Sequence, residues 1–133
     1  MKSRTIDVLF SDLCLKLYLD AEEYDKALTK LGWQTTIDTS DGCEALIGNS
    51  AYIFLKYTKP TTQDEFVYLI SVLNHEASHL VDDIFESVSE VSPCGETRAY
   101  LTERITSTLT GLFLEMTDTK NIPPAKKKTP TQK

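Results

Sequence analysis

The chain has few cysteines, no long apolar run and no acid-free N-terminal stretch, and each of these features argues against a class of protein. The three cysteines, Cys14, Cys43 and Cys94, are odd in number and lack C-x-x-C spacing, which argues against a disulfide framework and favours a reducing compartment. No apolar run approaches the length of a membrane span. Asp7 comes too early for a secretory signal. We therefore expect a cytoplasmic protein with no membrane partner.

Basic residues are outnumbered by acidic ones, 14 to 20, so the net charge is −6. Residues 1–119 contain nine basic and 20 acidic residues, a net charge of −11, and the last 14 residues add five lysines. An acidic body argues against general nucleic-acid binding. The sequence predicts a single domain over 1–119 and a disordered, solubilising Pro- and Lys-rich tail over 120–133. The alternative is that the lysines of the tail bind an acidic partner or nucleic acid.

The chain has only two histidines, and both lie in the pattern H-E-x-x-H. His75 and His79 are four residues apart, so on a helix both imidazoles reach the same metal ion. The apolar positions around them have helical spacing and lie on the opposite side: Phe66, Leu69, Ile70, Leu73, Ala77, Leu80, Val81 and Ile84. The pattern predicts a motif helix with a ligand face, and an ordinary surface histidine pair is the alternative.

A catalytic zinc needs a third protein ligand, and no histidine remains to supply it. Glu96 is the best candidate because it begins a second amphipathic helix that follows a turn with Pro93 and Gly95. Glu103 on the same face is the second choice and Cys94 the third. Mixed nitrogen and oxygen ligands also accept Mn²⁺, Fe²⁺ or Ni²⁺ in place of Zn²⁺.

The first half of the chain predicts a helix over Ile6–Tyr18, a second helix over Ala21–Leu31 and then a change to β-structure. Strands are expected at 34–38, 43–47 and 51–57, forming a small antiparallel sheet. Thr61 or Thr62 is expected to cap the motif helix. An extended peptide could pair with whichever strand forms the edge beside that helix.

His75-Glu76-Ala77-Ser78-His79 followed by Gly95-Glu96-Thr97-Arg98-Ala99-Tyr100-Leu101 resembles the zincin metallopeptidases in the branch with glutamate as third ligand. The pattern is also similar to small HExxH proteins encoded by bacteriophages and prophages. The resemblance covers about residues 64–114 and implies an α+β, minimal zincin-like fold. It also implies His75, His79 and Glu96 as zinc ligands and Glu76 as general base. If the phage resemblance holds, the compartment is the host cytoplasm.

These residues together predict a zinc-dependent metallohydrolase, a peptidase acting on an intracellular protein or peptide. Glu76 would accept a proton from the attacking water, and Tyr100 would assist as a second electrophile with Arg98 behind it. Three carboxylates are candidates to orient the histidines: Asp82, Asp83 and Glu86. The alternatives are a non-catalytic, zinc-stabilised protein that binds a host protein and a metal-free helical interaction domain.

Overall fold

The computed structural model describes residues 1–8, 11–34, 40–88 and 94–117, which form an α+β domain of three helices and four strands. The elements in chain order are β1 (Lys2–Val8), β2 (Ser11–Tyr18), α1 (Ala21–Lys30), β3 (Gly42–Ile47), β4 (Ser50–Leu55), α2 (Gln63–Ser87) and α3 (Gly95–Met116). The expected α+β class is confirmed. Within these ranges, no helix is long and apolar enough to cross a lipid bilayer.

The four strands form one mixed sheet in the order β1-β2-β4-β3. The outer pairs, β1 with β2 and β3 with β4, are antiparallel, whereas the central pair, β2 with β4, is parallel. The prediction of a small antiparallel sheet is therefore wrong at its centre. A parallel pair needs a long crossover connection, and here that connection includes α1.

The predicted helix over Ile6–Tyr18 is also wrong, because this segment contributes to the two strands β1 and β2. Leu13, Leu15 and Leu17 are buried, and the residues between them are only partly buried. That alternation has the period of two expected of a strand. Pairing on both edges of β2, with β1 and with β4, stabilises the extended form over the helix.

Helices cover both faces of the sheet. Leu15, Ala51 and Ile53 are fully buried in the larger core, which α2 and α3 close. A smaller aromatic core lies on the other face, where Tyr24 of α1 is in contact with ring systems of the sheet. The larger core packs α2 between the β4–β3 side of the sheet and α3.

Several local predictions are confirmed. Helix α1 and strands β3 and β4 lie where the pattern placed them, within two residues at each end. Thr62 is the N-cap of α2, where its hydroxyl accepts a hydrogen bond of 3.1 Å from the Glu65 amide. The predicted strand at 34–38 falls outside the described residues except for Gln34, and the predicted tail at 120–133 falls outside them entirely.

Candidate metal centre

The two histidines converge on the outer face of α2, opposite the core. Their Nε2 atoms are 3.1 Å apart, and the ring planes are nearly perpendicular at 87°. Zn–N bonds of about 2.0–2.1 Å in a tetrahedral site separate two ligand nitrogens by about 3.3 Å. His75 and His79 therefore fit two positions of a zinc site without rearrangement of the helix backbone.

Glu76 lies at the edge of the same helix, turned toward β3, and only 7% of its surface is exposed. A Cβ placed on Gly42 of β3 would be 3.0 Å from the Glu76 Cγ and from its Oε2, so the strand passes directly over this carboxylate. Burial raises the pKa of Glu76, and the charge of His75 and His79, when protonated, partly offsets that rise. A carboxylate in this environment is a stronger base than one in water.

Helix α3 presents Arg98, and not Glu96, to α2. The Arg98 guanidinium donates a 2.8 Å hydrogen bond to Asp82 and lies 5.3 Å from the centre of the Phe85 ring. Glu96 is two residues earlier, about 160° away around the helix at about 100° per residue. Among the described residues, no three His, Cys, Asp or Glu side chains form a group that could hold a metal ion. The structure thus brings His75 and His79 together without Glu96.

The remaining candidates, on α3 or at its N-terminus, are exposed side chains. Tyr100 is 67% exposed, and Glu103 is exposed on the outer side of the helix. Cys94 is the exposed N-cap of α3, where the Thr97 and Glu96 amides lower the pKa of its thiol. None of these side chains is packed between α2 and α3.

Two of the three carboxylates expected to orient the histidines have other partners. Asp82 pairs with Arg98, and Asp83 is hydrogen-bonded to the carboxyl group of Glu44 on β3. Glu86 is exposed near the end of α2. The two histidine rings contact each other, with centroids 4.7 Å apart.

Glu44 is a residue of the site that the sequence reasoning missed. It faces Ile53 in the register of β3 and β4, so its side chain points into the space between the sheet and α2. Its Oε2 atom is shielded from solvent and has no hydrogen-bond partner among the described residues. Burial, the hydrogen bond to Asp83 and the charges of Asp83 and Glu76 raise the pKa of Glu44 to about 8. The available signal was its spacing, because Glu44 shares a strand face with the apolar Leu46 two residues later.

A cleft of about 440 Å³ opens beside the histidine pair, between the start of β3 and α2. Its lining includes Asp41, Gly42, Val72, His75 and Glu76. Glu76, the candidate general base, forms part of the wall of this cleft. Any molecule that fills it therefore lies against both His75 and Glu76.

Comparisons with known protein families, with curated proteins and with solved structures found no match for this chain. The resemblance to zincins depends on the motif residues alone. In the structure, the motif lies on α2, beside an edge of the sheet and next to the cleft.

Proposed function

We propose that the protein is a zinc-dependent hydrolase with a minimal zincin-like arrangement, which cleaves a protein or peptide in the cytoplasm. One observation carries this proposal. His75, whose Nε2 atom is 3.1 Å from that of His79, lines a cleft whose wall also contains the buried Glu76. Zinc binding would need the two histidine nitrogens close together, and proton transfer would need the Glu76 carboxylate near them.

The chain's own residues have separate roles in the proposed reaction. His75 and His79 would hold Zn²⁺, which supplies the Lewis acidity that polarises a carbonyl and activates water near neutral pH. Glu76 would accept the proton of the attacking water and return it to the leaving nitrogen. Its burial supports this role, because a raised pKa suits a group that must both take and release a proton.

Strand β3 offers a way to hold the substrate. Among the described residues, β3 pairs with β4 alone, so within that part of the chain its other edge has backbone groups without a strand partner beside α2. An extended peptide could add to that edge through main-chain hydrogen bonds. The start of β3 borders the cleft, which would bring a peptide carbonyl to the histidine pair.

Glu96 remains the first candidate for the third ligand, with Glu103 second. For Glu96 to reach the histidines, the first turn of α3 must rotate away from the Arg98–Asp82 contact. Metal analysis of two variants separates the candidates. Glu96→Gln should reduce bound zinc well below one ion per chain, and Glu103→Gln should leave it unchanged. The reverse result would assign the ligand to Glu103.

Glu76→Gln tests the hydrolase itself. The variant should keep its zinc, measured by mass spectrometry, and lose at least about 100-fold of its activity toward fluorescein-labelled casein, because the general base is gone. A purified protein that binds zinc but cleaves casein no faster than Glu76→Gln would favour the zinc-stabilised binding protein instead. A purified protein without bound zinc would contradict both readings.

A further inference from the structure

A second cavity, of about 480 Å³, lies further along α2 from the histidine pair. Its lining comes from three segments: Asp41 before β3, residues after β4 (Lys56, Thr58 and Lys59), and residues of α2 (Asp64, Glu65, Tyr68 and Leu69). Asp41 lines this cavity and also the cleft beside His75. The two spaces therefore adjoin at the segment that leads into β3.

The link between the two spaces is a hydrogen bond from the Tyr68 hydroxyl to the Asp41 carboxylate. Tyr68 is seven residues before His75, so the two lie on the same face of α2 and about 10 Å apart along its axis. An extended chain covers that distance in about three residues. A peptide that lies along the edge of β3 would thus place a side chain in the second cavity about three residues from the reacting bond.

The residues that line the second cavity favour one kind of ligand side chain. The floor is apolar, formed by the buried Leu69, and beside it the ring of Tyr68 is 53% exposed. The lining also carries the ammonium groups of Lys56 and Lys59 and the carboxylates of Asp41, Asp64 and Glu65. None of these five charged groups forms an ion pair within the described part of the chain. A ligand of either charge would be attracted by one set and repelled by the other.

An aromatic ring can interact favourably with both the ammonium groups and the carboxylates of the lining. The face of a ring is negative and attracts ammonium groups, while its edge is positive and suits carboxylates. Its apolar body would cover Leu69, and its plane could pack on Tyr68 at the offset or edge-on geometry that aromatic pairs prefer. No net charge is required of the ligand.

We infer that this cavity is a subsite for an aromatic side chain of the substrate, about three residues from the bond that is cleaved. The inference rests on the proposed function for its place in a reaction, but the binding itself requires neither zinc nor Glu76. It assigns Tyr68 and Thr58 to substrate specificity, outside the group that performs the chemistry.

The experiment is a titration of the ¹⁵N-labelled full chain, in the presence of a metal chelator, with three probes: the N-acetyl amides of phenylalanine, lysine and glutamate. The phenylalanine probe should give saturable chemical-shift changes at the amides of Lys59, Tyr68 and Leu69, with a Kd of about 1–10 mM as expected for so small a ligand. The lysine and glutamate probes should bind at least about tenfold more weakly.

Thr58→Trp should fill the cavity and abolish the saturable changes. Val67→Trp is the matched control, since Val67 is an exposed residue of α2 that does not line the cavity, and it should leave the Kd unchanged. Tighter binding of lysine or glutamate, an unaltered Kd in Thr58→Trp, or no saturable change with phenylalanine would overturn the inference. Because zinc and Glu76 are not involved, each of these outcomes is distinct from failure of the proposed hydrolase.

Discussion

Among single residues, Gly42 most closely constrains the candidate base. Its backbone does not adopt a positive φ, so its requirement is steric: a methyl group there would be 3.0 Å from the Glu76 carboxylate and 3.1 Å from a methyl group of Val72. We expect Gly42→Ala to displace the Glu76 side chain and reduce kcat/KM on labelled casein by about tenfold or more, since small misplacements of catalytic groups have large effects.

The matched control for that change is Gly95→Ala. A Cβ at Gly95 meets no other atom within 4 Å, and this glycine also lacks a positive φ. The control should keep full activity. Equal activity of both variants would show that Glu76 tolerates displacement or plays no part in the reaction.

The sequence predicts the relative directions of side chains on one helix, but it does not predict how that helix contacts other elements. The spacing of His75, Glu76 and His79 defines their directions on α2 because helix geometry is local. The rotation of α3 depends on Arg98, which both pairs with Asp82 and packs on Phe85. Glu96 has the right spacing for a ligand on its own helix, but nothing in its local pattern specifies how that helix turns against α2.

At the level of elements, the start of α2 supports a prediction about stability. Thr62 caps the first turn, and Glu65 reaches back to accept a 2.8 Å hydrogen bond from the amide of Thr61, the residue before the cap. We expect Thr62→Ala to lower the free energy of unfolding by about 1 kcal/mol in a urea titration. Thr58→Ala, an exposed threonine with no cap to lose, should change it by less than about 0.5 kcal/mol. Equal losses would show that the cap does not stabilise the helix.

The contact between β3 and α2 should depend on pH through Glu44. Its pKa is about 8 in the folded protein, above the ordinary value of 4.5, so the folded state binds the proton more tightly than the unfolded state does. Stability from this group is complete below about pH 4.5 and is lost as the pH rises through 8. Asp83 and Glu76 on α2 are the carboxylates that face Glu44, and both oppose its ionisation.

Glu44→Gln removes that dependence. Relative to the natural chain, the variant should gain about 1–2 kcal/mol of unfolding free energy at pH 9 compared with pH 6, after allowance for solvent screening of a partly buried group. Urea titrations at the two pH values measure the difference. Glu86→Gln, at an exposed position of α2, is the control and should show no such gain. An identical pH dependence in all three proteins would contradict the buried proton on Glu44.

The elements themselves were predictable to different degrees. The sequence indicated α1, β3, β4, α2 and α3 because each has its own periodic pattern or cap. Ile6–Tyr18 was misassigned because Leu9, Leu13 and Leu17 match helical spacing while Leu13, Leu15 and Leu17 match strand spacing. The strand is favoured because β2 pairs with β4 in parallel. That pairing is a long-range contact, which a short stretch of sequence does not contain.

For the whole molecule, zinc should raise thermal stability, because a ligand that binds only the folded state shifts the equilibrium toward it. At a zinc concentration 100 times the Kd the gain is about 2.7 kcal/mol, or about 10 °C in Tm for a domain of this size. Thermal unfolding followed by circular dichroism, with zinc and then with a chelator, measures the shift. His79→Ala should abolish it, and an equal shift in that variant would place the metal elsewhere.

The parallel pairing of β2 with β4 also has a consequence for synthesis of the chain. Residue 14 pairs with residue 50, 36 residues further on, whereas β1 is already available to β2 as a hairpin partner. Until the ribosome has released β4, the second edge of β2 and its leucines have no native neighbour, and such bare strands tend to associate. A chain that stops before residue 50 should therefore aggregate or recruit chaperones, while one that includes α2 should not.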